Sequence, residues 1–445
     1  MEHSEDLDRT VSRRGLIRGG ALLGAGAALA GLPLARALAA TPSPVPWPHV
    51  TGLIERYVQA RKVSGMIAAL GWQQAAPLFI ARGREAFDDR DPNSAQSLFR
   101  CYSMTKPVTG LAAAMLIDQG KLRLDQPLAD FAPEFAKMQV AIDPKLGLDA
   151  RPTDKLITIR HLLTHTAGLG YAVVGRNKVA DELKRLGVNP GQISRRKLPG
   201  INDGPACPGP DEFLRRAATV PLVAEPGKVW RYSMGLDVLG IVIARAAGVS
   251  GLDVFLQEQL FGPAGMGSSF FQVPGSAKPR LTTNYVLLGG VPLPIDRPAN
   301  SIYDSPPPFA FGGSGLVSSP ADYDRFLKLI VGGGLIDGKR VVNEAAVQLA
   351  TSDLLPPEAD LTGTWVAGNR FGAGAILGAG KDEGLWGWSG AAGTVGFAQT
   401  RLGLRTSLFV QYMPQDRLPI LKEFPQAVGA DLTAMGHNPN LTGPK

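Results

Sequence analysis

The sequence predicts an α+β protein: one antiparallel sheet built from both ends of the chain, flanked by helices, with a helical region inserted between. Three observations predict it. Apolar, strand-like runs lie early (Gly65–Trp72 and Pro77–Arg82) and late (Phe371–Leu377, Gly393–Thr400 and Leu404–Met413). Apolar helical stretches fill the middle of the chain. The last two runs are separated by Arg401-Leu402-Gly403, a hairpin signal.

The chain begins with an address label. Residues 12–18 read Ser-Arg-Arg-Gly-Leu-Ile-Arg, followed by a mild Ala/Gly/Leu run from Gly19 to Ala35 and a small-residue cleavage site, Ala37-Leu38-Ala39. This is the pattern of a twin-arginine signal peptide over residues 1–39. Its uncharged run of 17 residues is short for a membrane span and rich in Gly and Ala. The expectation is export by the twin-arginine machinery, cleavage, and a periplasmic or secreted protein with no stable membrane span. An oxidising compartment would let Cys101 and Cys207 pair, and two free thiols are equally open.

A Pro-rich linker (41–48) leads into a helix from about Val50 to Arg61, and the first two strands follow. Pro107 to Gly120 reads as a helix, with Pro in its first turn, an Ala-rich stripe and Gly at its stop. Ile159–His165 is a short helix with Thr158 as its cap. Leu236–Ala247 and Leu252–Leu260 continue the helical middle. Residues 171–210 and 272–310 read as long loops around a cleft, and 420–436 as a closing helix. The expected division is an α/β domain from 40–110 and 311–445, and a mainly helical domain from 111–310.

Composition removes several classes. With 44% hydrophobic and 19% charged residues, the chain is neither disordered nor a coiled coil. The net charge of +7 is scattered without a basic run, so no nucleic-acid partner is expected. Two cysteines and no C-x-x-C pair exclude a disulfide scaffold and a zinc ribbon. His161 and His165 have the i, i+4 spacing of a zinc helix, but Leu162 stands where the glutamate would be, so both are read as packing histidines. There is no G-x-S-x-G elbow and no phosphate-cradling glycine motif. No metal and no cofactor are expected.

Three short motifs carry chemistry. Ser103-Met104-Thr105-Lys106 is an S-x-x-K at the start of a helix, where the positive dipole end lies beside the serine and the i+3 lysine shares its face. Lys106 can then take the serine proton or act on a neighbouring base through its charge. Trp230-Arg231-Tyr232-Ser233-Met234 places a tyrosine at a loop-to-helix junction, where its phenol can enter a cleft as a general base. Gly387-Trp388-Ser389-Gly390-Ala391-Ala392-Gly393-Thr394 is a small-residue run entering the last hairpin, where a backbone N–H could join that of Ser103 as an oxyanion hole. Each alone also fits a helix cap, an interfacial aromatic or a Gly-rich bulge.

Together and in this order they resemble the serine β-lactamase-like hydrolases: class C β-lactamases, D-Ala-D-Ala carboxypeptidases and, most closely, the family VIII carboxylesterases. The similarity runs from about Val50 to Met413. It includes Phe99-Arg100, Asp125-Gln126-Pro127-Leu128, the run from Ile159 to Leu169, Phe311-Gly312-Gly313-Ser314-Gly315-Leu316, and Gln411-Tyr412-Met413-Pro414. The resemblance implies a β-lactamase/transpeptidase-like fold with Ser103 as nucleophile and Lys106 and Tyr232 as catalytic partners. It implies an oxyanion hole from the Ser103 and Ala391 N–H groups, and substrate contacts from Trp388, Ser389, Gly390 and Met234. Two departures bear on substrate. Trp388 stands where lactamases and peptidases have Lys or His to grip a carboxylate, and Met234 where they have Asn to bond an amide. Losing a charge-assisted contact costs about 1.5–3 kcal/mol, so the expected activity is hydrolysis of neutral small-molecule esters through an acyl-enzyme. A lactamase or D-Ala-D-Ala peptidase, an acyltransferase, and a non-catalytic acyl-accepting sensor on the same fold remain alternatives, and the formal base stays open between Lys106 and Tyr232.

Overall fold

The computed structural model describes residues 47–198, 202 and 204–436; the twin-arginine segment lies outside them. Helix α1 (Pro48–Gln59) starts with Pro at its first position, and its free N–H groups meet a carboxylate from the far end of the chain. His49 N and Val50 N each donate to the wholly buried Asp431 at 3.0 Å. Strands β1 (Gly65–Trp72) and β2 (Leu78–Gly83) form the first hairpin. Helix α2 (Thr105–Asp118) is buried on nearly every side, as an apolar helix without a polar face must be. The short helix α3 (Ile159–Leu163) has the Thr158 cap expected of it, closed reciprocally by His161. Helix α4 (Gly235–Ala247) ends at Gly248 in the left-handed region. Helix α5 (Pro320–Val331) is capped by Ser319, with Pro at its first position.

Five strands close the sheet: β3 (Arg370–Phe371), β4 (Ile376–Leu377), β5 (Leu385–Ser389), β6 (Val395–Gln399) and β7 (Leu404–Phe409). Helix α6 (Ile420–Ala434) ends the described chain. The sheet order is β3-β4-β5-β6-β7-β1-β2, antiparallel throughout, so the two ends of the chain meet where β1 pairs with β7, Ile67 opposite Phe409. β1 reads as a continuous apolar run because both of its faces are covered. Met66, Ala68 and Leu70 pack with Val50, Leu53 and Ile54 of α1 and with Phe424 and Val428 of α6. Ile67 and Phe409 face the other way, into the core that holds Phe326 of α5 and the apolar side chains of α2 and α4.

The structure amends several expectations. Residues of both expected divisions contribute to that core, and the described residues from Trp47 to Gly436 form one compact unit. Phe371–Leu377 is two strands, β3 and β4, turned around Gly372-Ala373-Gly374, with Gly374 at φ +67°. The loop expected at 272–310 contains a hairpin, Asn284–Leu288 with Val291–Asp296, joined by Gly289-Gly290 at φ +57° and +84°. Both central residues of such a turn need positive φ, which glycine supplies without strain. The loop expected at 171–210 contains a helix, Lys178–Arg185, capped by Asn177.

Candidate active site

The serine is delivered by a clamped segment. Phe99–Arg100 pairs with Val317–Ser318, and Arg100 is wholly buried. Its guanidinium donates to Asp296 (Nε to Oδ2, 2.9 Å) and to the Thr282 carbonyl (2.6 Å). Gln411, just past β7, accepts from Arg100 N and donates to Arg100 O. This segment therefore cannot slide relative to the sheet or the 284–296 hairpin. Tyr102 follows in the left-handed region, φ +44°, a conformation that costs a bulky residue about 1–3 kcal/mol. It is held by Asn284, which donates to its hydroxyl, and by Thr105 Oγ1, which donates to its carbonyl at 2.6 Å. The turn Tyr102–Met104 then presents Ser103 at the N-terminus of α2.

Three predicted residues meet there. Tyr232 Oη lies 2.7 Å from Ser103 Oγ, and Lys106 Nζ lies 3.3 Å from it. Lys106 is wholly buried; its ammonium also donates to the Gly313 carbonyl at 2.7 Å and sits 4.6 Å from the centre of the Tyr232 ring. The phenol is held in an aromatic box. Trp388 stacks on it at 5.9 Å and 25°, His165 lies at 4.8 Å, Trp365 at 5.5 Å and Tyr171 at 5.6 Å. The buried walls, Trp388, His165 and Tyr171, fix the ring, and removing one of them would loosen the hydroxyl that faces the serine; Trp365 lies against it but is largely exposed.

His165 belongs to this box. Its Nδ1 accepts from Ser233 N at 3.2 Å, and burial, helped by the Lys106 charge, holds it neutral well below the usual histidine range. His161 Nδ1 accepts from Thr158 N at the cap of α3, and burial lowers its pKa to about 4. Cys101 and Cys207 are free thiols; burial pushes both up, Cys207 to about 12, so neither competes as a nucleophile.

Ser103 opens into a cavity of ≈ 160 Å³ whose lining includes Tyr232, Trp388, Ser389 and Ala391. Tyr171, Val173, Val174, Ile193 and Trp365 complete its apolar side. The 171–210 segment thus contributes to the cleft as expected. Residues 272–310 do not line it; they hold the Arg100 segment instead. Gly390 is absent from the lining. Its N–H donates to Thr394 O at 2.8 Å, and a Cβ on it would lie 2.2 Å from the Cys101 carbonyl, so it brings the β5–β6 turn against the serine segment. Met234 is a correction: it was expected to touch substrate, but it lies at the turn into α4 with its side chain buried in the core. Tyr171, Trp365 and Gly313 were not read as site residues. Gly313 lies in the quoted Phe311–Leu316 motif, whose Gly312 carbonyl also accepts from Thr109.

Comparison with known proteins gives the family. The pattern of the Beta-lactamase family matches residues 50–421. Protein Rv1367c of Mycobacterium tuberculosis is 33% identical over 81% of this chain and 89% of its own length. Esterase EstB of Burkholderia gladioli is 32% identical over 63% of this chain and 69% of its own. Among solved structures, EstCE1, described as a hydrolase with promiscuous acyltransferase activity, superimposes with a TM-score of 0.67 at 23% identity, covering 86% of this chain and 97% of that one. A buried lysine and a tyrosine converging on one serine, in a chain that matches this pattern over residues 50–421, place the protein in the Beta-lactamase family as a serine hydrolase or acyltransferase.

Proposed function

We propose that the protein is an exported carboxylesterase that cleaves neutral esters through an acyl-enzyme on Ser103. One observation carries the reading: the Ser103–Tyr232 hydrogen bond, backed by Lys106, opens into a cavity walled by Trp388, Trp365 and Tyr171. In the reacting form the pair holds one proton fewer than a phenol plus an ammonium, and Ser103 Oγ attacks the ester carbonyl as its proton passes to the deprotonated Tyr232 oxygen beside the Lys106 ammonium. Tyr232 Oη is the nearer of the two, 2.7 Å from Ser103 Oγ against 3.3 Å for Lys106 Nζ, and both donate to it in the resting site. The developing oxyanion lies between the Ser103 and Ala391 N–H groups, where one donor is worth about 10²–10³ in rate. The C–O bond breaks and the alcohol leaves with the proton. Water then attacks the acyl-enzyme and gives its proton to the same pair, which returns it to Ser103 Oγ as the acyl C–Oγ bond breaks and the acid is freed.

The wall at Trp388 offers no charge to a carboxylate, and this favours a neutral ester over a β-lactam or a D-Ala-D-Ala peptide. A second alcohol in place of water would make the same acyl-enzyme a transferase, a route in keeping with the promiscuous acyltransferase activity described for EstCE1. The export reading rests on Arg13-Arg14 and Ala37-Leu38-Ala39.

The test uses the mature chain, residues 40–445, beside Ser103→Ala. A short-chain p-nitrophenyl ester and a chromogenic cephalosporin are followed in parallel, with and without an added alcohol. Multiple turnovers on the ester, weak cephalosporin cleavage and loss of both in Ser103→Ala are expected. Faster cephalosporin turnover would move the protein to the lactamase branch. A burst without turnover would make it an acyl-accepting sensor, and full activity in Ser103→Ala would end the mechanism. For export, Arg13→Lys with Arg14→Lys is expected to leave the protein in the cytoplasm of a host with a twin-arginine system; unchanged export would refute the address.

A further inference from the structure

Asp237 stands in the first turn of α4, five residues after Tyr232, and is wholly buried among apolar neighbours. A carboxylate in such a place is costly unless something answers its charge. Its Oδ1 accepts from Gly313 N at 2.8 Å, while Oδ2 has no hydrogen-bond partner. The carbonyl of the same glycine accepts from Lys106 Nζ at 2.7 Å. One residue therefore separates the buried carboxylate from the buried ammonium. The approach is close: a Cβ on Gly313 would lie 2.4 Å from Asp237 Oδ2, so only glycine lets the carboxylate and the lysine share it.

The groups facing Asp237 leave Lys106 as its cation. Burial raises its pKa to about 6, and the Lys106 charge acts against that rise. Tyr171 and Cys207 feel the Asp237 charge, and both stay neutral because burial pushes them up. Tyr232 and His165 lie on the Lys106 side, and His165 is held neutral.

We infer that Asp237 is a positioning residue for Lys106, orienting the Gly313 carbonyl that receives the ammonium and supplying its countercharge across that peptide. The inference rests on the reading of Ser103, Lys106 and Tyr232 as the acyl-transfer centre. Asp237 touches neither substrate nor the serine. It acts by keeping the ammonium beside Tyr232 and Ser103 rather than drawn toward another carbonyl. Protonating Asp237 removes the countercharge, so ester hydrolysis loses rate as pH falls through the region near 6.

The experiment compares the mature wild type, Asp237→Asn and Ser103→Ala on a p-nitrophenyl ester across pH 5 to 8. Rates are scaled to active sites counted with a fluorophosphonate. Asparagine keeps an acceptor for Gly313 N–H and removes the charge, so it imitates protonated Asp237. The expected result is a kcat lowered about 10- to 100-fold at pH 8 with KM within about threefold, and loss of the acid limb seen in the wild type. An inactive Ser103→Ala beside an Asp237→Asn that keeps both the wild-type kcat and its acid limb would overturn the inference and leave the mechanism standing. An active Ser103→Ala would instead end the mechanism on which it rests. Should Asp237→Asn not fold, the wild-type profile decides: an acid limb near pH 6 in kcat supports the role, and a flat profile down to pH 5 refutes it.

Discussion

Replacing Tyr232 with Phe separates chemistry from packing. The substitution removes one oxygen, the atom 2.7 Å from Ser103 Oγ. The ring keeps its neighbours, Trp388 at 5.9 Å, Trp365 at 5.5 Å and Tyr171 at 5.6 Å, so buried area and the shape of the cleft are retained. A single hydrogen bond is worth about 0.5–1.5 kcal/mol to stability. A positioned general base is worth about 10²–10⁴ in rate, which at 1.36 kcal/mol per decade is about 2.7–5.4 kcal/mol of transition-state free energy. The variant is therefore expected to unfold in urea within about 1.5 kcal/mol of wild type. Its kcat on a p-nitrophenyl ester should fall at least about 100-fold, with KM within about threefold because the apolar contacts survive. The remaining neighbour, Lys106 at 3.3 Å, is too far and too committed to Gly313 to replace the phenol. A Tyr232→Phe enzyme that kept more than a tenth of wild-type kcat would refute the proton path through the tyrosine and pass the role to Lys106.

Other substitutions test the supports of the site. Gly390→Ala places a methyl against the Cys101 carbonyl, 2.2 Å away before relaxation, and should push the Ala391 turn off the serine; kcat is expected to fall about 10²-fold, and an unchanged kcat would remove that turn from the oxyanion hole. Trp365 lines the cleft yet is 65% exposed, so Trp365→Ala should leave the urea midpoint unchanged and raise KM several-fold for longer acyl chains only. An equal effect on acetyl and longer esters would place the acyl chain elsewhere. Asp296→Ala leaves Arg100 charged and buried, and a loss of about 3–5 kcal/mol in urea unfolding is expected; a loss under 1 kcal/mol would mean that the clamp on the serine segment lies elsewhere. Trp388→Lys removes the stacking partner of Tyr232 and buries a second cation near Lys106, so ester turnover should fall without a gain on a cephalosporin, and a lactamase gained at full ester activity would contradict the aromatic-wall reading.

What was legible in the sequence was local. The i, i+3 spacing of Ser103 and Lys106 is a property of one helical turn, and Tyr232 stands at a junction marked by the apolar run of α4. The late hairpin was legible from its turn. The Gly289-Gly290 turn carried the same kind of signal, but Pro292 and Pro294 argued against a strand; they are tolerated because Val291–Asp296 pairs only with Asn284–Leu288 in a two-stranded sheet. Met234 was placed by motif position, which gives no direction for a side chain, and the turn into α4 sends it inward. The Arg100 clamp joins residues nearly 200 and more than 300 positions apart, and no local pattern announces it. Asp237 did leave a trace: one acid inside an otherwise apolar, fully buried stretch from Gly235 to Ala244.

That trace bears on substrate as well as on catalysis. Lys106 and Asp237 are a cation and an anion buried on either side of Gly313, so their charges cancel before any substrate arrives. Lysine or histidine at position 388 would add a positive charge that a substrate carboxylate could then neutralise. Tryptophan adds none, and its ring instead stacks on the phenol and closes the box with Phe371 and Trp365. A carboxylate entering this cleft would exchange water for aromatic walls, with the one nearby cation already answered. A neutral ester carries no such penalty and gains contact with the same walls. The proposed preference for uncharged esters thus rests as much on Asp237, which answers the Lys106 cation, as on Trp388, which offers no second one.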